Sequence, residues 1–257
     1  YKRQISMGTC YIIKLKLYLL KNLPIGINSI EYLRNRIFIN IILKFTENNM
    51  KLDCFGESGN AYTAALTMEL AGVKWDPIFV DFFKGEARSE AYKKINGMGE
   101  VPTLVTDNGV TLSQSGSIQQ FIMDKTGKLG GEPNDKYETL GWVLWDNHKM
   151  SSQVGIQRFL MNFLPADKRP EGAINFLSGR IQAALSVLDN ALADRDWLVG
   201  NSISMADLSC CGYLFYDEPF GFNRSDWPNI NTWLSRISNQ PGWKHPYDLM
   251  KRAFIPS

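Results

Sequence analysis

From Met50 onward, hydrophobic and polar positions divide the chain into two halves with different periods. Lys51 to Phe55 reads as a short strand, closed by the turn Gly56-Glu57-Ser58-Gly59. Asn60 then caps a helix through Ala64, Ala65, Met68 and Leu70, which stops at Gly72. Trp75 to Phe82 sets Trp, Pro and Phe against Asp, Ile and Val and reads as a second strand. A short helix follows over Arg88 to Ile95, ending at Asn96-Gly97. Val101-Pro102 opens a third strand, Asp107-Asn108-Gly109 turns the chain, and Val110 to Leu112 returns as a fourth. Gln114-Ser115 caps a further helix with apolar positions Ile118, Phe121 and Ile122.

This order predicts a parallel first pair joined by a helical crossover and a hairpin for the second pair, a thioredoxin-like α/β unit. A linker spans Gly127 to Asp135, with Gly130-Gly131 and Pro133, and from there the period is helical throughout. Tyr137 to Phe163 is one long helix or a bent pair. Phe176 to Leu192 carries Leu177, Ile181, Leu185, Leu188 and Leu192 on one stripe. Ser204 to Tyr216 is apolar on most faces, and Asn229 to Ser238 plus a last turn after Pro241 complete an all-helical second half. The expected domains are 50–126 and 136–257, joined by 127–135.

Residues 1–49 differ in composition, with ten Ile, six Asn and a net charge of +6 against −4 for the remainder. They read as an extension outside the native fold. Lys14, Lys16 and Lys21 break the longest apolar run well short of the roughly 18 residues a membrane span needs. The mildly acidic remainder has no basic patch for nucleic acid. Cys10, Cys54, Cys210 and Cys211 form no CxxC, and the two His are distant in sequence, so neither metal nor disulfide is expected.

Pro102 cannot donate to a sheet ladder and belongs at a strand start or edge. A cis bond at such a corner would turn the Val101 N–H and C=O outward, free to pair with an extended peptide. Ser115 offers a hydroxyl beside helix N-terminal N–H groups, which suits a carboxylate. An extended small peptide with a free carboxylate fits this corner.

These features, with Gly200-Asn201-Ser202-Ile203-Ser204-Met205-Ala206-Asp207-Leu208 downstream, resemble the cytosolic glutathione transferases. The likeness runs from Met50 to about Trp243. It implies a thioredoxin-like N-terminal domain, an all-α C-terminal domain and a cytoplasmic homodimer of a bacterial, Ser-type or related subgroup. Glutathione is the implied co-substrate, an apolar electrophile, peroxide or disulfide the second, and detoxification the setting. The resemblance implies that Ser115 holds the γ-glutamyl carboxylate with Gln114 beside it, while Val101 and Pro102 shape the peptide site. Ser58, just ahead of a helix N-terminus, is the expected thiolate donor, and Asn60 competes for the role. No tyrosine stands near Cys54-Phe55, where the Tyr-dependent classes carry theirs. Tyr62, Trp145 and His148 are expected at the second-substrate pocket.

Ser204 and Asp207 have the spacing of a capping box, so a folding role is expected of them. Cys54 reads as a buried structural thiol, and Cys210-Cys211 as core. Two rivals remain: a glutathione-binding module without catalysis, and a glutaredoxin-like oxidoreductase built on Cys54.

Overall fold

A computed structural model describes residues 49–254 of the protein. The expected extension, residues 1–49, lies outside the described residues apart from Asn49. Strand β1, Met50–Cys54, is central: it pairs in parallel with β2, Trp75–Phe79, and antiparallel with β3, Thr103–Val105. The hairpin β3–β4, with β4 at Thr111–Ser113, completes the order β2-β1-β3-β4. The thioredoxin-like expectation holds. Strand alternation sends Leu52 and Cys54 of β1 into the main core, while Asp53 turns to Tyr92 on the opposite face.

Helix α1, Gly59–Ala71, is buried nearly all round, because it is covered by the sheet, by α3 and by the helical half. Its alanines permit that close packing, and Gly72 at φ 73° ends it. The second strand stops at Phe79 rather than Phe82, since Asp81 accepts from the Lys84 N–H and starts a 3-10 turn. Its edge position tolerates Pro77. Helix α2 is only Glu90–Lys93, because a 3-10 turn over Glu86–Arg88 and the Ser89 cap precede it. Helix α3, Ser115–Thr126, follows the hairpin.

The stretch expected as one long helix or a bent pair is α4, Lys136–Asp146, and α5, Ser152–Asn162, joined by a π turn at Asn147–Ser151. Buried Asp146 accounts for the wide turn. The i to i+5 spacing brings the Ser151 hydroxyl onto the Asp146 carboxylate at 2.9 Å, and Ser209 donates to it at 2.7 Å. Helix α6, Glu171–Ala191, buries Ile181, Leu185 and Leu188 as its stripe predicts. Helix α7 is Met205–Cys210, shorter than expected. Beyond it Gly212 passes so near α1 that a Cβ would sit 2.3 Å from Thr63 Oγ1 and 3.1 Å from the Gly59 carbonyl. Helices α8, Pro228–Ser238, and α9, Pro246–Leu249, complete the bundle.

The Ser204–Asp207 capping box is present. Asp207 also accepts from the Leu198 N–H and the Trp233 indole, each at 2.9 Å, so one carboxylate joins three segments of the helical half.

Burial pushes Asp146 up from 3.8 to about 7, against the hydrogen bonds from Ser209 and Ser151. Between roughly pH 4 and 7 the folded state therefore keeps a proton that the unfolded chain has lost, and stability falls as pH rises through that window. Denaturant unfolding at pH 5 and pH 8 should show this loss, on the order of a few kcal/mol, and Asp146→Asn should reduce it. Equal pH dependence in the two proteins would contradict this.

Candidate active site

Strand β1 delivers the chain into the loop Phe55–Ser58, at the N-terminus of α1. Ser58, 7% exposed, caps that helix by accepting the Ala61 N–H at 3.1 Å. Asn60 was the expected cap. It lies inside the first turn instead, because the helix begins at Gly59, two residues earlier than an Asn60 cap requires. Both side chains line a cleft of about 400 Å³.

The Ser58 loop is held from several sides. Tyr216 donates to the Gly56 carbonyl at 2.7 Å, and the Gly56 N–H reaches the Lys251 carbonyl at 2.7 Å. Arg158 on α5, only 1% exposed, donates to the Glu57 carbonyl at 3.0 Å and pairs with Glu218 at 2.9 Å. The Glu57 carboxylate accepts the Ala253 and Phe254 N–H groups at 2.9 and 3.1 Å, clasping the final described residues. Burial raises Glu218, but hydrogen bonds from Tyr247 and Arg158 outweigh it and hold its carboxyl below the usual range. Ionised Glu218 thus compensates the buried Arg158.

Across the cleft, the Val101-Pro102 bond is cis. Among the described residues neither the N–H nor the C=O of Val101 has a backbone partner, as expected for a peptide-pairing corner. Asn96 fixes the preceding carbonyl, of Glu100, at 2.8 Å. Gln114 sits at φ 70°, a costly conformation for a residue with a side chain, and its amide reaches the Glu100 carboxylate at 3.4 Å. Ser115 is buried as the first residue of α3. The corner and the Ser58 loop therefore converge, with Glu100 and Val101 on the cleft lining.

The second-substrate expectations need correction. Tyr62 is fully buried and donates to the Lys244 carbonyl, so it is core and not a cleft wall. Trp145 packs on Trp142 and lines a separate groove with Lys149, Gln153 and Arg180. His148 is exposed on the π turn. None of the three borders the cleft, because the π turn and helical period direct the later positions Gly155, Arg158 and Phe159 into it. The aromatic wall comes from Phe55 stacked on Phe82 at 4.8 Å, and from Phe83, Phe163 and Phe254 packed mutually at 5.1 to 5.4 Å. Tyr213, just beyond α7, also faces the cleft. The spacing Gly155, Phe159, Phe163 was the readable signal for this wall; nothing local marked Tyr213.

Cys54 is 1% exposed, and burial, with the Asp53 charge behind it, pushes its thiol up to about 12. It is a structural thiol, as expected, with no thiolate to offer. Among the described residues no cluster of three or more His, Cys, Asp or Glu is placed to hold a metal ion. No described helix is long and apolar enough to cross a membrane.

Comparison with known proteins finds matches to both halves of the chain. Residues 58–125 match the family model for the glutathione S-transferase N-terminal domain, and residues 153–241 that for the C-terminal domain. The chain is 26% identical over 215 residues to glutathione S-transferase 2 of Schizosaccharomyces pombe, covering 76% of this chain and 93% of that protein. It is 26% identical over 194 residues to the disulfide-bond oxidoreductase YfcG of Escherichia coli, covering 73% and 89%. Among solved structures, a glutathione S-transferase from Pseudomonas fluorescens superposes with a TM-score of 0.71 at 27% identity, covering 77% of this chain and 99% of that one.

Proposed function

The chain belongs to the glutathione S-transferase family, and on that premise we propose that it activates the glutathione thiol for attack on an electrophile. Residues 50–126 take the tripeptide, and residues 136–257, beyond the linker 127–135, share the electrophile wall with Phe55, Phe82 and Phe83. Ser58 donates a hydrogen bond to the thiolate, with Asn60 the second candidate beside it. Val101, next to Pro102, pairs with the tripeptide backbone, and Ser115 with Gln114 receives the γ-glutamyl carboxylate at the start of α3. One observation carries this reading: the Ser58 hydroxyl, its oxygen already occupied by the Ala61 N–H, opens onto a cleft at the N-terminus of a 13-residue helix.

The phenylalanine wall favours an apolar electrophile. Reduction of a disulfide or peroxide by bound glutathione is the second reading, supported by the oxidoreductase among the relatives. Buried Cys54 takes no part in it.

Glutathione titration by calorimetry tests the site. Ser115→Ala should weaken binding about 10- to 100-fold, the worth of one hydrogen bond to a charged group. Unchanged affinity would move the carboxylate elsewhere, and no binding by the wild type would end the functional reading. Binding without turnover on any electrophile would instead indicate a non-catalytic module.

The proposed assembly is a cytoplasmic homodimer. Tyr137, Leu140 and Leu144 form an exposed apolar row on α4, at 81, 41 and 61% exposure, which supports a covered face. Sedimentation of the wild type as a dimer and of Leu144→Lys as a monomer is expected; a monomeric wild type at micromolar concentration would contradict it.

A further inference from the structure

We propose that Tyr213 is a second catalytic hydroxyl of this site, arriving from the helical half to donate a hydrogen bond to the glutathione sulfur alongside Ser58. The inference rests on the reading of the cleft as a glutathione-activating centre.

The first argument is room. A Cβ added to Gly59, the first residue of α1, would lie 2.5 Å from Tyr213 Cδ2. One added to Gly155, on α5, would lie 2.9 Å from the Tyr213 hydroxyl oxygen. Any other residue at either position would force the ring to move. Two glycines on two separate helices thus form a slot for one phenol. Gly155 is inside a helix, where glycine is less favourable than alanine by roughly 1 kcal/mol. Local structure gives no reason for it; the tyrosine does.

The second argument is the hydroxyl itself. Its oxygen lies beside Gly155, and both residues line the cleft. Among the described residues no carbonyl or carboxylate accepts its proton; Arg158, whose guanidinium lies 5.6 Å from the ring centre, is a cation and only donates. Ser58 is in the same position, with its oxygen used by the Ala61 N–H and its proton without a protein acceptor. Both residues line the same cleft. Two hydroxyl protons therefore lack an acceptor at one helix N-terminus, and an anionic sulfur between them supplies it.

Burial pushes the Tyr213 hydroxyl above its ordinary range, outweighing the nearby Arg158 charge. It stays protonated at neutral pH and serves as a donor, not a base. In the step itself the glutathione S–H proton leaves to water, and the sulfur anion accepts both hydrogen bonds. Sulfur then forms its bond to carbon while the leaving group departs with the old bonding pair. Neither hydroxyl is consumed.

The test is the pH profile of turnover at saturating glutathione for the wild type, Tyr213→Phe, Ser58→Ala and Gly155→Ala. The lower limb reports the bound thiol. Tyr213→Phe keeps the ring in its slot, so glutathione affinity should stay within about twofold while the limb moves up by about 1 unit, a tenfold smaller ionisation constant. Gly155→Ala, which displaces the hydroxyl without removing it, should move the limb the same way. A limb unmoved in Tyr213→Phe but raised in Ser58→Ala would overturn the role of Tyr213 and leave the proposed function standing. A limb near 8.5 in every protein, wild type included, would overturn both.

Discussion

Ser58→Ala should lower conjugation turnover at pH 7 by about 25- to 100-fold, with glutathione affinity nearly unchanged. A free thiol with a pKa near 8.5 is about 3% ionised at pH 7, whereas one lowered by about 2 units is roughly three-quarters ionised. Losing the hydroxyl therefore removes up to about 25-fold of the thiolate population, and the lost stabilisation of sulfur along the reaction adds the rest. The variant also loses the α1 cap, at a cost of about 1 kcal/mol in stability. A denaturant curve beside the kinetics separates the two effects. Asn60→Ala should change turnover only a fewfold, since the Asn60 side chain makes no hydrogen bond within the described protein and Ser58 alone caps the helix. Steady-state rates on one chromogenic aryl halide suffice. A large loss confined to Asn60→Ala would transfer the role two residues along.

The largest expected effect on stability is that of Asp207→Ala, at about 4 kcal/mol. Asp207 is fully buried, and its two oxygens accept from the Leu198 N–H, the Trp233 indole, and both the N–H and the hydroxyl of Ser204, each at 2.9 Å. Truncation leaves those donors in a dry interior, where each unsatisfied group costs about 1 to 3 kcal/mol. Part of that is recovered as the Ser204 hydroxyl rotates and the segment relaxes. Against a total stability of roughly 5 to 15 kcal/mol, the loss is large. Urea denaturation measures it directly, and Ser204→Ala should cost only about 1 kcal/mol in the same assay. Equal costs for the two variants would show that Asp207 acts as a local cap and not as the junction of α7, α8 and the Leu198 segment.

The order of elements was legible because it rests on local chemistry. Gly72 and Gly127 end their helices at positive φ, Ser204 and Asp207 have the spacing of a capping box, and Val101-Pro102 marks a corner. Residues adjacent to such signals, Ser58 and Ser115, were found with them. Misreadings arose where position depends on distant packing. Tyr62 lies on a helix buried nearly all round, so its sequence period cannot distinguish cleft from core. Trp145 precedes, and His148 lies on, a π turn whose cause, the hydrogen bond from Ser151 to buried Asp146, is visible only once α7 has brought Ser209 alongside. The same limit concealed Arg158 and Tyr213. Arg158 looks like an ordinary surface residue until Glu57 and Glu218 surround it, and Tyr213 needs glycines 154 and 58 positions away to make room.

The central claim is that this cleft binds glutathione and lowers its thiol pKa at Ser58. Ultraviolet thiolate absorbance of bound glutathione, titrated against pH with the wild type and Ser58→Ala, reads that quantity without any electrophile. The account predicts a midpoint about 2 units below the free value of 8.5 in the wild type, returning most of the way in Ser58→Ala. A midpoint equal to that of free glutathione in the wild-type protein, with glutathione demonstrably bound, would contradict it.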